Sequence, residues 1–365
     1  MSATQVQKFS LPNKYRPRRF RDMKHQAFAA GVGKALGEGR RMQGYIIEGP
    51  MGCGKTTLAR IIAASLNAAS GLDDNGDPRD PNDPQALAVH MGNHPEVKEI
   101  NAADKRGIDQ IRDIITDAHT GVPRGVRVYI IDEAHRLTPD AFIALLKPIE
   151  EPPEDVVFIL CTTDVQHIPE TIISRLPRIP IKPFSAPQLA ECVTEVLERW
   201  NTDDDSITIT NPREVAESVA RYAMGSLRTA MTMAENVILH GVNEYPSNSD
   251  IDLIVSSSVC GDTKTAVAAL RSLCEQGFDE RTIVRGVQYS LTETVLGDTT
   301  GLTIGETDWE RVTLLLKILD ESEKASNPLA HFISGLGSLS IMIGLSGERQ
   351  RRIEAMLHQI IAQKG

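Results

Sequence analysis

The chain has 365 residues, 41% of them hydrophobic and 4% aromatic, with 49 acidic against 39 basic side chains for a formal charge of −10. That length allows two or three domains, each burying its own core, and the acidic balance argues against coating nucleic acid through bulk charge. No apolar run approaches the roughly twenty residues of a membrane span, and the opening MSATQVQKFS lacks the apolar core of a secretion signal, so an intracellular chain is expected. Cys53, Cys161, Cys192, Cys260 and Cys274 are odd in number and unpaired in spacing, which points to free buried thiols and away from zinc or disulfides.

The first 41 residues carry ten basic side chains against Asp22 and Glu38. Such a run serves DNA phosphates, a nucleotide or an acidic neighbour, or is simply solvated. Within it SLPNKYRPRRFRDM, residues 10–23, is dense in Pro and Arg and is expected to lie extended over the nucleotide site. A short helix is predicted from Gln26 to Leu36.

Tyr45-Ile46-Ile47 is the short apolar run of a buried parallel strand, and Leu58, Ile61, Ile62 and Leu66 recur at helical spacing after Lys55. Between them Gly49-Pro50-Met51-Gly52-Cys53-Gly54-Lys55-Thr56 matches G-x-x-x-x-G-K-[ST] in full, with the flanking strand and helix that a phosphate-binding loop requires. The three glycines keep Cβ atoms away from phosphate oxygens, so backbone N–H groups turn inward at the positive end of the helix. Lys55 is expected to meet the β- and γ-phosphates of ATP and the Thr56 hydroxyl to ligate its Mg²⁺, with Gly49, Pro50, Gly52, Cys53, Gly54 and Thr57 completing the cradle. The competing reading is a glycine-rich turn that matches by accident.

Ser70 to Pro84, SGLDDNGDPRDPNDP, is acidic and poor in apolar residues and is read as an exposed, mobile insertion. A second buried strand is predicted near Val97 to Ile100, then a helix from Ile108 to about His119. Val126 to Ile131 is the third strand and runs into Asp132-Glu133-Ala134-His135. An acidic pair at the carboxyl end of an apolar strand, expected beside the strand carrying the phosphate loop, is where Mg²⁺ chemistry belongs in an open α/β sheet. Asp132 would hold the metal and Glu133 would orient or deprotonate the attacking water, although acids also cap helices.

Thr138 and Pro139 read as N-cap and first residue of a helix whose stripe of Phe142, Leu145, Leu146 and Ile149 leaves Lys147 off the buried face, with Pro152-Pro153 as its stop. Val156 to Leu160 is a fourth strand ending in Cys161-Thr162-Thr163-Asp164, where a hydroxyl either meets the γ-phosphate or is satisfied within its own turn.

Beyond Pro183 the pattern turns helical. Ser185 opens a helix with a capping-box partner at Gln188 and a stripe of Leu189, Val193, Val196 and Trp200. Ile207-Thr208-Ile209 is ambiguous between strand and turn. Helices are predicted over 212–223 and 226–240, broken at Met224-Gly225. Arg228 stands in the first turn of the second, where the helix dipole disfavours a cation; an anionic partner explains it, with a plain surface arginine as the alternative. Helical spacing continues over 251–255, 263–275, 279–296, 307–323, 327–344 and 347–363, a self-standing bundle without a catalytic cluster, read as an assembly domain.

With these residues in hand the chain resembles the clamp-loader ATPases of the AAA+ class, nearest to their bacterial tau/gamma branch. The resemblance is carried by KYRPRRFRDM at 14–23, the phosphate loop, DEAHRLTPDAFIALLKPIEEPPEDVVFILCTTD at 132–164, IISR at 172–175 and GSLR at 225–228. It implies that Tyr15, Arg16 and Pro17 pack on the adenine side of the nucleotide, that Thr163 is a first γ-phosphate sensor and that Arg228 is a second, from a helical lid. It makes Arg175 the finger that reaches the next subunit's ATP, and places Lys105, Arg106 and Lys147 near the DNA backbone. The helix at 108–119 is its candidate for touching the clamp. Two departures stand out: the interval 67–94 lacks the four cysteines of the family's usual zinc module, so no zinc is expected, and Leu176 follows the finger arginine where the family has Cys. The long tail of the full-length bacterial form is expected to be lacking.

The expectation is an α/β AAA+ P-loop domain with a parallel sheet over 1–183, a helical lid over 184–245 and an all-helical collar over 246–365. Its expected function is that of the ATP- and Mg²⁺-dependent motor subunit of a sliding-clamp loader. It would work in a homo- or hetero-pentamer on clamp and primer–template DNA, in the cytoplasm of a bacterial or phage-infected cell. The rivals are another AAA+ DNA motor of branch-migration type and a nucleotide-binding scaffold without turnover. A two-lobed helicase is set aside because the chain holds one phosphate loop.

Overall fold

The computed structural model describes residues 10–104, 107–118, 125–203, 208–240, 245–296 and 309–343. The chain divides into two units, Met1–Val196 with Gly225–Glu235, and Leu197–Met224 with Asn236–Gly365. In the first, α1 (Leu11–Lys14) leads through a 3₁₀ turn at Phe20–Asp22 to α2 (Ala27–Gly37), β1 (Gly44–Glu48), α3 (Lys55–Asn67), α4 (Pro84–His90) and β2 (Val97–Asn101). Then come α5 (Gly107–Ala118), β3 (Arg127–Asp132), α6 (Pro139–Glu150), β4 (Val156–Thr162), α7 (Glu170–Ile173), β5 (Arg178–Pro180) and the start of α8 (Ala186–Asp203).

The strands form one parallel sheet in the order β2-β3-β4-β1-β5, as the α/β reading requires. Strands β1, β3 and β4 read as unbroken apolar runs because helices cover both faces. On one face Tyr129, Ile131, Phe158 and Leu160 pack with Ile111 and Ile114 of α5 and Phe142 and Leu145 of α6. The Tyr129 and Phe158 rings stack at 5.3 Å. Against the other, α3 lies over β1, β3 and β4 with Leu58, Ile61 and Ile62 fully buried.

The sheet corrects two expectations. β2 is an edge strand, paired with β3 alone, and Lys98 and Glu99, which point to opposite faces, are both exposed, so it is not a buried strand. β3 is not the neighbour of β1, because β4 lies between them and pairs with both. The three-residue β5, the other edge, is too short to show a period and escapes the pattern, as does α4.

Residues 10–23 are not extended throughout, since Pro12 in the first turn of α1 presets a helical φ and Phe20–Asp22 closes a 3₁₀ turn. Ser70 to Pro84 is not a loose insertion either. Asp77 is 0% and Asp83 1% exposed. The loop closes by a bridge between Leu72 and Pro78, and Asp83 caps α4 by accepting from Gln85 and Ala86 N–H at 2.9 and 3.0 Å. Aspartates that look like solvated charge by composition are spent on backbone donors.

Helix α6 begins as read, with Thr138 accepting from Ala141 N–H at 3.3 Å, Pro139 at its first position and Lys147 exposed. It tolerates Pro148 in its last turn and stops at Glu150.

The second unit holds the end of α8, α9 (Pro212–Tyr222), the end of α10 (Leu227–His240), α11 (Asn248–Cys260), α12 (Thr263–Glu275), α13 (Glu280–Leu296), α14 (Trp309–Lys324) and α15 (Pro328–Ile343). Its core joins Ile251, Ile254, Leu270, Val287, Leu315, Leu319, Phe332 and Leu336. Helix α11 outruns the predicted 251–255 because Ser247 caps it and Gly261, at φ 81°, ends it. No strand forms at Thr208 and Ile209; Asn201 holds the Ile209 backbone at both ends, at 2.9 Å each. Ile207, His119 and the predicted helix 347–363 lie outside the described residues. The described thiols are free, but Cys260 is exposed where a buried one was expected.

Candidate nucleotide site

The chain leaves β1 at Glu48 and enters α3 at Lys55, so the loop between them sits at the carboxyl end of the sheet. A Cβ on Gly49 would lie 2.2 Å from Ile181 O, and one on Gly52, at φ 78°, 2.1 Å from Ser226 Oγ. No larger residue fits either place. The loop curls so that Lys55 Nζ donates to Gly49 O and Pro50 O, both at 2.9 Å, and the residue is only 6% exposed. Both acceptors are neutral carbonyls, so the buried ammonium is best satisfied by an incoming polyphosphate.

Although β4 separates β1 from β3, α3 carries Thr56 across, and its hydroxyl donates to Asp132 Oδ2 at 2.7 Å. A hydroxyl and a carboxylate side by side below a phosphate loop are the two protein oxygens that Mg²⁺ takes when substrate phosphates supply the rest. The residues present therefore fit a magnesium nucleotide. Among the described residues, no group of three or more His, Cys, Asp or Glu side chains is placed to hold a metal.

Glu133 follows with φ 53°, an uncommon conformation for a side chain of its kind. Its carboxylate lies 3.5 Å from His135 Nε2, and His135 Nδ1 lies 3.2 Å from Thr162 Oγ1. That hydroxyl donates to Asp164 O at 2.9 Å and accepts from Asp164 N–H at 3.0 Å. Thr162 is thus occupied in its own turn, and Thr163, next along, is the exposed hydroxyl at the strand tip. His135, between Glu133 and Thr162, joins the candidate site, and residue reading assigned it no role although it stood in plain view as the last letter of the DEAH run.

Arg228 enters through the backbone, its N–H donating to Gly52 O at 3.1 Å while its side chain is exposed. Tyr15, Arg16 and Pro17 are half-buried, and Lys14 Nζ sits 5.1 Å from the Tyr15 ring centroid. Burial, with Arg60 and Arg228 close by and Glu99 opposing them, holds the Arg16 guanidinium below its usual range. Arg60, the second missed residue, forks onto Glu99 at 2.7 and 2.9 Å. Its only sequence signal was its place one turn after Thr56 on the helix that follows the loop. Burial raises the Cys53 thiol against the pull of Lys55, and burial and Asp132 raise Cys161, so neither is a nucleophile.

Arg175 lies elsewhere. It precedes β5, whose Arg178 is level with Ile46 of the parallel β1, so it stands toward the amino end of the sheet while the loop stands at the carboxyl end. Its guanidinium is held by Glu150 at 2.6 Å and by Thr171 O. Leu176 is a core residue, 5% exposed, covering Gly44. Lys147 is exposed on α6, and Lys105 and Arg106 lie outside the described residues.

Residues 25–185 match the family model described as DNA polymerase III, delta subunit. The chain is 32% identical over 233 residues to the DNA polymerase III subunit gamma of Buchnera aphidicola subsp. Baizongia pistaciae, covering 63% of this chain and 60% of that one. It is 33% identical over 233 residues to the subunit tau of Escherichia coli K12, covering 63% of this chain and 35% of that one. The chain thus spans less than two thirds of the length of these relatives. Among solved structures, the Thermotoga maritima RuvB Holliday junction branch migration motor aligns with a TM-score of 0.41 and 17% identity over 82% of this chain and 98% of that one, too loose a likeness to bear on function. In sequence the chain is tau/gamma-like.

Proposed function

We propose that this tau/gamma-like AAA+ chain is the ATP-hydrolysing motor subunit of a sliding-clamp loader. Lys55 and the loop amides of Gly49 to Thr57 hold the β- and γ-phosphates, and Thr56 and Asp132 hold the metal. Bound Mg²⁺ would offset charge developing on the phosphate oxygens. Glu133, steadied by His135, orients the attacking water and takes its proton. Thr163 and Arg228 contact the γ-phosphate, and Tyr15, Arg16 and Pro17 cover the base.

The observation that carries the reading is the placement of Arg175, an exposed arginine toward the end of the sheet away from its own phosphate loop. An arginine so placed serves a neighbour's triphosphate, and such a group in trans is worth on the order of 10³–10⁵ in rate. Hydrolysis then depends on assembly, which suits a loader whose subunits form a pentameric spiral around primer–template DNA and open a ring clamp. Lys105, Arg106 and Lys147 would track the DNA backbone without reading sequence. The three-part division into nucleotide-binding, lid and collar domains goes with this reading. Its setting is the bacterial cytoplasm; among the described residues no helix is long and apolar enough to cross a membrane.

The test is the mass of the complex formed with a non-hydrolysable ATP analogue and partner subunits, followed by turnover with and without primed DNA and clamp. A pentamer stimulated by both ligands is expected. A six-membered ring, or turnover indifferent to both, overturns the proposal.

A further inference from the structure

Asp77 has an unusual position for a carboxylate in an acidic loop. It is fully buried, and its two oxygens are turned away from solvent onto the N-terminal arm: Oδ1 accepts from Phe20 N–H and Oδ2 from Arg21 Nε, both at 2.6 Å. Asp73 takes the other side of the same guanidinium and shapes the loop by accepting from Asn75 and Asp77 N–H at 2.9 and 3.1 Å. Asp77 O in turn accepts from Asp73 N–H at 2.9 Å, which closes the loop on itself.

The loop has a firm floor. A Cβ on Gly33 of α2 would lie 2.3 Å from Asn75 O and 2.7 Å from Phe20 Cγ, and one on Gly37 would lie 2.5 Å from Asp73 O. Loop backbone and Phe20 ring therefore rest directly on the helix, with no side chain between, and Phe20 is 3% exposed. The arm that Phe20 and Arg21 end begins at Tyr15-Arg16-Pro17 and leads to Met23, whose Cε would lie 3.3 Å from a Cβ on Gly54 of the phosphate loop, and the charges of Arg228 and of Arg60 on α3 act on Arg16. Only two residues separate Pro17 from the buried Phe20, so fixing one end fixes the other.

We propose that Asp77 is a positioning residue of the nucleotide site: by clamping Phe20 and Arg21 onto α2 it sets the arm against the base of the bound nucleotide, and so governs preference for adenine without acting on the phosphates. This rests on the reading of Tyr15, Arg16 and Pro17 as the base-side wall. Bonds of a carboxylate to a guanidinium and a backbone N–H are charge-assisted, so losing them frees the arm by an amount that matters for binding.

The experiment compares the full chain with Asp77→Ala, Asp77→Asn and Arg21→Ala, measuring dissociation constants for Mg–ATP, Mg–GTP and inorganic tripolyphosphate beside a thermal melt. Asp77→Asn keeps an acceptor for Phe20 N–H but turns an amide donor toward Arg21. Arg21 has a 47% exposed side chain, so its truncation leaves the core intact if the buried substitutions do not fold. ATP binding weakened about five- to tenfold is expected, with GTP and tripolyphosphate affinities nearly unchanged. The Arg21 and Asp77 losses should not add in the double variant, because they break one clamp. Equal weakening of all three ligands, or an ATP preference untouched in folded Arg21→Ala and Asp77→Asn, overturns the role of Asp77. A wild-type chain that binds ATP no better than GTP or tripolyphosphate overturns the base-wall reading instead.

Discussion

The guanidinium of Arg175 meets the Glu150 carboxylate at 2.6 Å with the side chains 38% and 44% exposed. Pairs this open are worth about 0.2–1 kcal/mol, so the tether is weak, and in the proposed assembly it has to be released before Arg175 can reach a neighbour. Glu150→Gln is therefore expected to lower the melting temperature by no more than about 2–4 °C and to raise turnover of the assembled complex by up to about fivefold. Arg175→Ala in the same assay should lower it by at least about a thousandfold. Steady-state ATPase with and without DNA reads both, and a slower Glu150→Gln enzyme would show that the carboxylate helps to aim the finger. At Glu133 a subtler dependence is expected. His135→Ala removes the imidazole facing its carboxylate, and should lower kcat about ten- to a hundredfold while leaving nucleotide affinity unchanged, since base positioning contributes to the chemical step alone.

Helix α4 places its last residue, His90, among cations. Burial, then Arg18, Arg60 and Arg16, hold this imidazole down at about 4. An unfolded chain titrates the same group near the ordinary value of about 6.5. Between these values the unfolded state binds more protons, so stability falls as pH drops from 6.5 toward 4 and the loss is complete below it. Burial pushes Asp83, capping the other end of α4, upward, but its bonds to Ala86, Ser70 and Gln85 together outweigh that and draw it below the usual carboxylate range. Its contribution is present above that range and is lost at still lower pH. His90→Gln should remove roughly 1–2 kcal/mol of the stability lost between pH 6.5 and 4, allowing for solvent screening, and leave stability near neutrality almost as before. Thermal melts across the window read this directly; an unchanged slope would place the acid sensitivity elsewhere.

The same elements mark how far sequence reading reaches. Strands β1, β3 and β4, the phosphate loop and the start of α6 were legible because their signals are local: apolar runs, a spaced motif, a Thr-Pro cap. Strand order was not, since nothing in Val156 to Leu160 says that β4 inserts between β3 and β1. The stretch from Ser70 to Pro84 was misread because its order comes from carboxylates bonded to Phe20, Arg21 and its own backbone, which leave no period and look like solvated charge. At the candidate site, Lys55, Thr56 and Asp132 could be named from type and spacing, whereas Arg60 and His135 lie beside Glu99, Glu133 and Thr162, neighbours that only the fold brings close.

For the whole molecule the proposed centre is shared, one protomer holding the triphosphate and the next supplying Arg175, and a shared centre can be rebuilt from broken parts. A Lys55→Ala chain cannot grip phosphate but still presents Arg175; an Arg175→Ala chain grips phosphate but presents nothing to its neighbour. Each alone should assemble into an inactive complex. In a heterologous ring, mixing the two at equal amounts sets an intact loop against an intact arginine at about a quarter of the interfaces, so the mixture should recover up to about that share of wild-type turnover. Recovery must rise with time allowed for subunit exchange and vanish when each variant is cross-linked before mixing. A centre complete within one chain predicts no recovery at any ratio, and it also predicts that diluting the wild-type protein below its assembly range leaves turnover per chain constant.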